Sequence, residues 1–239
     1  MDLGQRLTEA LRFQTVFTIH IGSVDLPITE TVIITWVVMA FLIILSILLT
    51  RKLREVPTGA QTLLEAFVDG LNGFSKEQFG HKQYVYAPYI GTIFLFLIVA
   101  NTLPMVSPVG GFGHTALFEL KPPTRDINMT AALAIMTILI VIVAGFKKRG
   151  FKGWFKHLAE PMPMMVPFNL MEYIIKPMSL ALRLFGNILG AFIIMQLIEA
   201  VAPIGIPPVF SLYFDIIDGL IQALVFSFLT TLYIAESVE

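Results

Sequence analysis

The sequence predicts an all-α membrane protein of about five membrane helices plus an amphipathic segment. Two observations carry this. Of 239 residues, 56% are hydrophobic and only 14% charged, whereas an average soluble domain is roughly 25% charged. The apolar residues also gather into runs of about twenty or more, enough to cross roughly 30 Å of hydrocarbon at about 1.5 Å per residue. The formal net charge is -1, so no global basic field draws in nucleic acid. Cysteine is absent, which excludes disulfides, thiolate chemistry and cysteine metal sites.

The elements follow in order. The opening stretch "MDLGQRLTEALRFQTVF" has no compact apolar core after a basic start, so it does not read as a signal peptide. Leu3–Phe17 is amphipathic and is expected on the outer surface, within an external segment 1–30. The first span is Thr31–Thr50, uncharged and closed by "RKLR". The second is Tyr86–Met105. Its late Asn101, just before Pro104, reads as a hydrogen-bonding group for the local backbone. The third is Ile127–Phe146, closed by "KKRGFKGWFKH". Asp126 and Asn128 at its mouth suit a helix cap or a channel mouth. The fourth span runs from Pro167 to Val201 and the fifth from Pro208 to Ala235. Together they are expected to form one membrane domain, 1–239, with scaffold spans in 31–146 and the functional residues in the last two spans, 167–235.

Positive charge orients the chain. Arg51, Lys52 and Arg54 follow span one, and Lys147, Lys148, Arg149, Lys152 and Lys156 follow span three. The 106–126 loop carries only Lys121 and Arg125. The N-terminus is therefore expected outside and the C-terminus in the cytoplasm, with the 51–85 and 147–166 loops also cytoplasmic.

Span four is too long for a bilayer, roughly 50 Å if helical throughout, so it must tilt, bend or run along the interface. It also carries Glu172, Lys176, Ser179, Arg183, Asn187, Gln196 and Glu199, and span five carries Asp215, Asp218 and Gln222. Spacings of four, seven and eleven place Glu172, Lys176, Ser179, Arg183 and Asn187 on one stripe. Gly186 and Gly190 beside it permit close approach of another helix. Asp215, Asp218 and Gln222 share a face by the same rule.

Arg183 is the sharpest signal. A charge deep in a bilayer is costly and usually marks an ion pathway. Arginine does not deprotonate in proteins, so it carries no protons itself. It can favour the ionised form of a nearby carboxylate and repel cations. No acid lies one turn away on its own helix. Its countercharge is either Asp215 or Asp218, as a structural ion pair, or a group on another protein. Glu199, sixteen positions on, faces either a separate aqueous cavity or the solvated outer interface. His20, His81, His114 and His157 are scattered and hold no acid at metal-ligand spacing, so no metal and no cofactor is expected.

"KPMSLALRLFGN" (Lys176–Asn187) resembles the signature helix of subunit a of F-type ATP synthases. "VPTGAQTLLEAFVDG", "GTIFLFLIVANTLPMVSP", "PTRDINMTAALA" and "FDIIDGLIQALVFSFLTTLYIAESVE" resemble further segments of that family in the same order. The resemblance implies that the last two helices form a long tilted hairpin against a rotating ring of c subunits. Arg183 would face the ring carboxylates between two offset half-channels that pass protons to and from the ring. Asn187 and Gln222 would flank it. Ser179 and Lys176 would lie toward the cytoplasmic exit. Asp215, with Asp218 and Glu199, would serve the outer half-channel. Phe192 departs from the family, which often has a polar residue nine positions after the arginine. The implied partners are the c-subunit ring, the b-subunit peripheral stalk, the remaining ATP synthase subunits and the lipid bilayer, in a bacterial inner membrane. The chain would be a non-catalytic subunit that binds no nucleotide and has no phosphate-binding Gly-x-x-x-x-Gly-Lys-Ser/Thr loop. A sodium-coupled version of the same subunit, or a stand-alone secondary ion transporter, is the alternative.

Overall fold

Each apolar run becomes a helix, because a helix satisfies its backbone polar groups within its own segment inside hydrocarbon. The structure, a computed structural model, describes residues 15–21, 24–57, 59–79, 85–106, 121–158, 162–202 and 207–238. Strands β1 (Thr15–Ile21) and β2 (Val24–Thr29) form an antiparallel hairpin in which Thr18 faces Pro27 and Ile21 faces Val24. The helices are α1 (Glu30–Thr50), α2 (Ala60–Phe79), α3 (Ala87–Val106), α4 (Ile127–Leu158), α5 (Val166–Val201), α6 (Pro207–Ser211) and α7 (Gly219–Val238). A π-helical segment, Leu212–Asp218, joins α6 to α7.

Glu30–Thr50, Ile127–Gly150, Pro163–Val201 and Val209–Val238 are long and apolar enough to cross a membrane, and Ala87–Leu103 is a shorter apolar helix. An apolar helix therefore stands at each of the five expected positions, four of them long enough to span. On α1, Val37, Ile43, Ile44, Ile47 and Leu48 are exposed, the state expected of side chains that lipid covers. Three threonines within the spans are satisfied locally: Thr35, Thr92 and Thr102 each donate a hydroxyl to the carbonyl four residues back.

Four features differ from expectation. The amphipathic stretch Leu3–Phe17 falls largely outside the described residues, and its last three residues, Thr15–Phe17, open a strand. β-branched and aromatic side chains in TVFTIHI favour that outcome. The 51–85 loop contains a full helix, α2. Its approach is closed by Gln61, whose side chain accepts from the Arg54 amide (3.0 Å) and donates to the Arg54 carbonyl (2.7 Å). Gly59 stands there at φ 60°, a conformation that favours glycine. Third, α4 continues past Phe146 to Leu158 and bends at Gly150, where φ is 70°. Fourth, residues 212–218 are π-helical rather than α-helical. The α-helical spacing that grouped Asp215 with Asp218 and Gln222 does not hold across that segment.

The chain divides into two compact units. One comprises Met1–Arg51, Phe96–Asp126 and Gly186–Gln222; the other comprises Lys52–Leu95, Ile127–Phe185 and Ala223–Glu239. The core of the second unit joins Phe79, Ile90, Ile138, Val141, Ala144, Ile234, Ala235 and Val238. Ser237 Oγ donates to the Val141 carbonyl at 2.8 Å, fixing the end of α7 on α4. Gly145 is required at that contact: a Cβ there would lie 2.7 Å from Ser237 Oγ and 3.0 Å from the Trp154 ring.

Candidate functional site

In the second unit, α5 contributes the expected residues Lys176, Ser179 and Arg183. Lys176 Nζ donates to Glu236 Oε2 at 2.8 Å and pairs with Glu172 Oε2 at 2.9 Å. It also stands 5.6 Å from the centre of the Tyr233 ring. The pairing ties the first half of α5 to the second half of α7 and leaves Lys176 neutralised by two carboxylates. Ser179 is half-buried. Pro177 lies inside α5, one residue after Lys176. A proline there removes one backbone donor.

Arg183 is exposed. Among the described residues its side chain makes no hydrogen bond and no ion pair. Further along α5, Gly186 and Asn187 are exposed and Gly190 is half-buried. A Cβ added at Gly186 or Gly190 would meet nothing within 4 Å. Helical spacing places these residues close to the arginine's side of α5. From Arg183 to Asn187 the stripe read from the sequence is thus an open helix surface, whereas Lys176 and Ser179 are half-buried.

The first unit contains Asn187, Glu199, Asp215, Asp218 and Gln222. Gln222 is buried, Asp218 half-buried and Glu199 exposed, though Glu199 has a partner. Asp215 lies in the π-helical segment, and its side chain is outside the described part of the structure. The same unit holds a buried polar cluster that sequence reading did not assemble. A one-turn 3-10 helix, Pro123–Arg125, is wholly buried. Arg125, 2% exposed, donates from Nη2 to Glu30 Oε1 at 3.3 Å. Its guanidinium carbon stands 4.7 Å from the centre of the Phe192 ring. Thr124 Oγ1 donates to Asn101 Oδ1 at 2.5 Å, and Asn101 Nδ2 donates to the Gly219 carbonyl at 3.4 Å.

This cluster corrects the reading of Asn101. Its partners are Thr124 and Gly219, distant in sequence, rather than backbone near Pro104. The physical reason is burial: Asn101 is 3% exposed, and a buried amide is stable only when hydrogen-bonded. Glu30 carried no signal beyond its place before an apolar run. Arg125 counted only as an orienting charge.

The remaining candidates are bland. His20 is exposed and pairs with Asp25 at 2.5 Å. His81 and His114 lie outside the described residues, as does the side chain of His157. Among the described residues no group of three or more His, Cys, Asp or Glu could hold a metal ion.

The ATP synthase A chain family matches residues 32–235. Subunit a of ATP synthase from Gloeobacter violaceus is 44% identical over 211 residues, covering 88% of this chain and 84% of that protein. The sodium ion specific ATP synthase subunit a of Propionigenium modestum is 39% identical over 222 residues, covering 91% and 76%. Subunit a from Moorella thermoacetica is 37% identical over 220 residues, covering 92% and 94%. With a match this long, and an open-faced arginine helix where the signature lies, the chain belongs to the ATP synthase A chain family, as a subunit a.

Proposed function

We propose that this subunit passes ions to and from a ring of c subunits, with Arg183 as the fixed cation that meets each ring carboxylate in turn. Membership of the family makes the chain a multi-pass, non-catalytic membrane component of the ATP synthase, engaged in ion transport for ATP synthesis. The finer reading rests on one observation: Arg183 is exposed beside Gly186 and Asn187 and has no ion-pair partner among the described residues. A permanently paired arginine would be useless to a moving carboxylate. Two glycines with open space above them suit a partner helix at close range.

In this reading Asn187 and Gln222 flank the arginine, and Ser179 and Lys176 lie toward the cytoplasmic exit. Asp215, Asp218 and Glu199 serve the outer half-channel. The N-terminus is outside, the C-terminus is cytoplasmic, and the b-subunit stalk joins the ring among the partners. Residues 167–235 act as the translocating hairpin of a single membrane domain. The coupling ion is the proton. Sodium is the second reading, supported by the sodium ion specific relative from Propionigenium modestum.

The test uses assembled ATP synthase in inverted membrane vesicles. An uncompensated charge in hydrocarbon costs at least about 3 kcal/mol, and about 1.4 kcal/mol is tenfold in rate. Arg183→Ala should therefore slow synthesis and ATP-driven pumping by about 100-fold or more while the complex still assembles. Transport by the purified subunit alone, without the ring, would overturn the stator reading. Synthesis driven by a sodium gradient without a pH gradient would replace the proton with sodium.

A further inference from the structure

We propose that Arg125 is a positioning residue that sets the alignment of the outer ion path, by seating the turn at residues 123–126 against both helices that line it. This rests on the ion-path reading of α5 and α7. The geometry lies wholly within one compact unit.

A buried guanidinium is tolerated only where partners replace its water. Arg125 finds a carboxylate, Glu30 at 3.3 Å, and a ring face, Phe192 at 4.7 Å. The first contact fixes the turn to the opening turn of α1. The second fixes it to α5, nine residues beyond Arg183. A cation over an aromatic face within about 6 Å is attracted by the ring quadrupole, more strongly when desolvated. Planar guanidinium stacks on such a face better than an ammonium does.

The neighbouring residue makes the other attachment. Thr124 is fully buried, and through Asn101 it reaches the Gly219 carbonyl at the start of α7. That contact admits no slack, because a Cβ at Gly219 would lie 2.9 Å from Asn101 Cβ. Gly219 directly follows the π-helical segment that holds Asp215 and Asp218. Pro122 and Pro123 stiffen the approach, and the Arg125 and Asp126 amides donate back to the Pro122 and Pro123 carbonyls at 3.2 Å. One rigid turn therefore holds α5 at Phe192 and α7 at Gly219. The separation of those points sets how the polar groups of the π-helical segment meet α5. Arg125 touches no ion in this scheme; it acts through Phe192 and Glu30.

The test again uses the assembled enzyme in vesicles, with rates normalised to intact complex. Synthesis is measured against the outer concentration of the coupling ion, varied as proton and as sodium in separate series. ATP-driven pumping is measured against the concentration on the opposite side. Arg125→Ala should raise the half-saturating outer concentration by about fivefold or more, the range expected when contacting groups are uncoupled. The half-saturating concentration on the other side should not move. Arg125→Lys retains a cation for Glu30 and should recover most of the shift. Phe192→Leu removes only the ring and should reproduce part of it, with less than additive effect on top of Arg125→Ala. If Arg125→Ala does not assemble, Arg125→Lys and Phe192→Leu decide the matter alone. A parallel loss of both directions, no shift, or Arg125→Lys behaving as Arg125→Ala would overturn the proposal. Arg183→Ala run alongside separates the two readings. If it leaves transport intact, the ion-path reading itself fails; if it stops transport while the Arg125 and Phe192 variants shift nothing, only this proposal fails.

Discussion

Arg125, in a polar turn, and Arg183, in an apolar helix, are treated in opposite ways. Arg125 is buried, bonded to Glu30 and stacked over Phe192. Arg183 is exposed on α5 beside an open glycine surface, without an ion pair among the described residues. Lys176, seven residues before Arg183 on the same helix, shows the intermediate case, held by Glu172 and Glu236. The difference is instructive. A cation bound to a carboxylate of its own chain is structural, because the pair has nothing left to offer a visitor. A cation kept without one is expensive in a membrane, and the cost is tolerated where an outside group supplies the charge.

Substitutions at these residues test the contrast. Arg183→Ala carries the greatest consequence, about 100-fold or more in transport. Thermal unfolding of the purified subunit in detergent should shift by no more than about 0.5 kcal/mol, as for an exposed side chain. Arg125→Ala should do the reverse to stability, costing about 3–5 kcal/mol by leaving Glu30 without its partner. Equal effects of the two substitutions on unfolding would erase the distinction between them.

The glycines extend the contrast. Gly219→Ala forces a methyl group against Asn101, and overpacking of this kind costs about 1–3 kcal/mol. Gly186→Ala meets open space, so the isolated subunit should gain up to about 1 kcal/mol from better helix propensity. If a ring helix packs there, the same change should weaken assembly with the ring, measured by copurification. A Gly186→Ala subunit that destabilises on its own would mean the surface is not open. Lys176→Gln should matter least, about 0–1 kcal/mol, since its partners Glu172 and Glu236 are about half exposed and solvent screens such pairs. Its effect should shrink further as salt is raised in the unfolding assay.

The five spans were legible because each is a matter of composition over about twenty residues, and composition does not depend on the rest of the chain. The arginine stripe was legible because helical periodicity alone puts Lys176, Arg183 and Asn187 on one side. The bend at Gly150 and the π-helical segment 212–218 were not, since Lys-rich and apolar sequence continues through both. Asn101 was misread because its partners lie 23 and 118 residues away. Phe192 posed the clearest puzzle in sequence, an aromatic where a polar group was expected. In the structure that ring lies against Arg125, on a different segment.

The order of residues was enough to show that the protein is helical and membrane-bound, and that Arg183 has no acid one turn away on its own helix. Those facts follow from hydropathy and helix spacing, which are local. Only the tertiary structure decided which cations are neutralised. Glu30 and Arg125 are separated by 95 positions, and no periodicity links them. Coulomb attraction and cation–ring contact act over a few ångströms of space, whatever the distance along the chain.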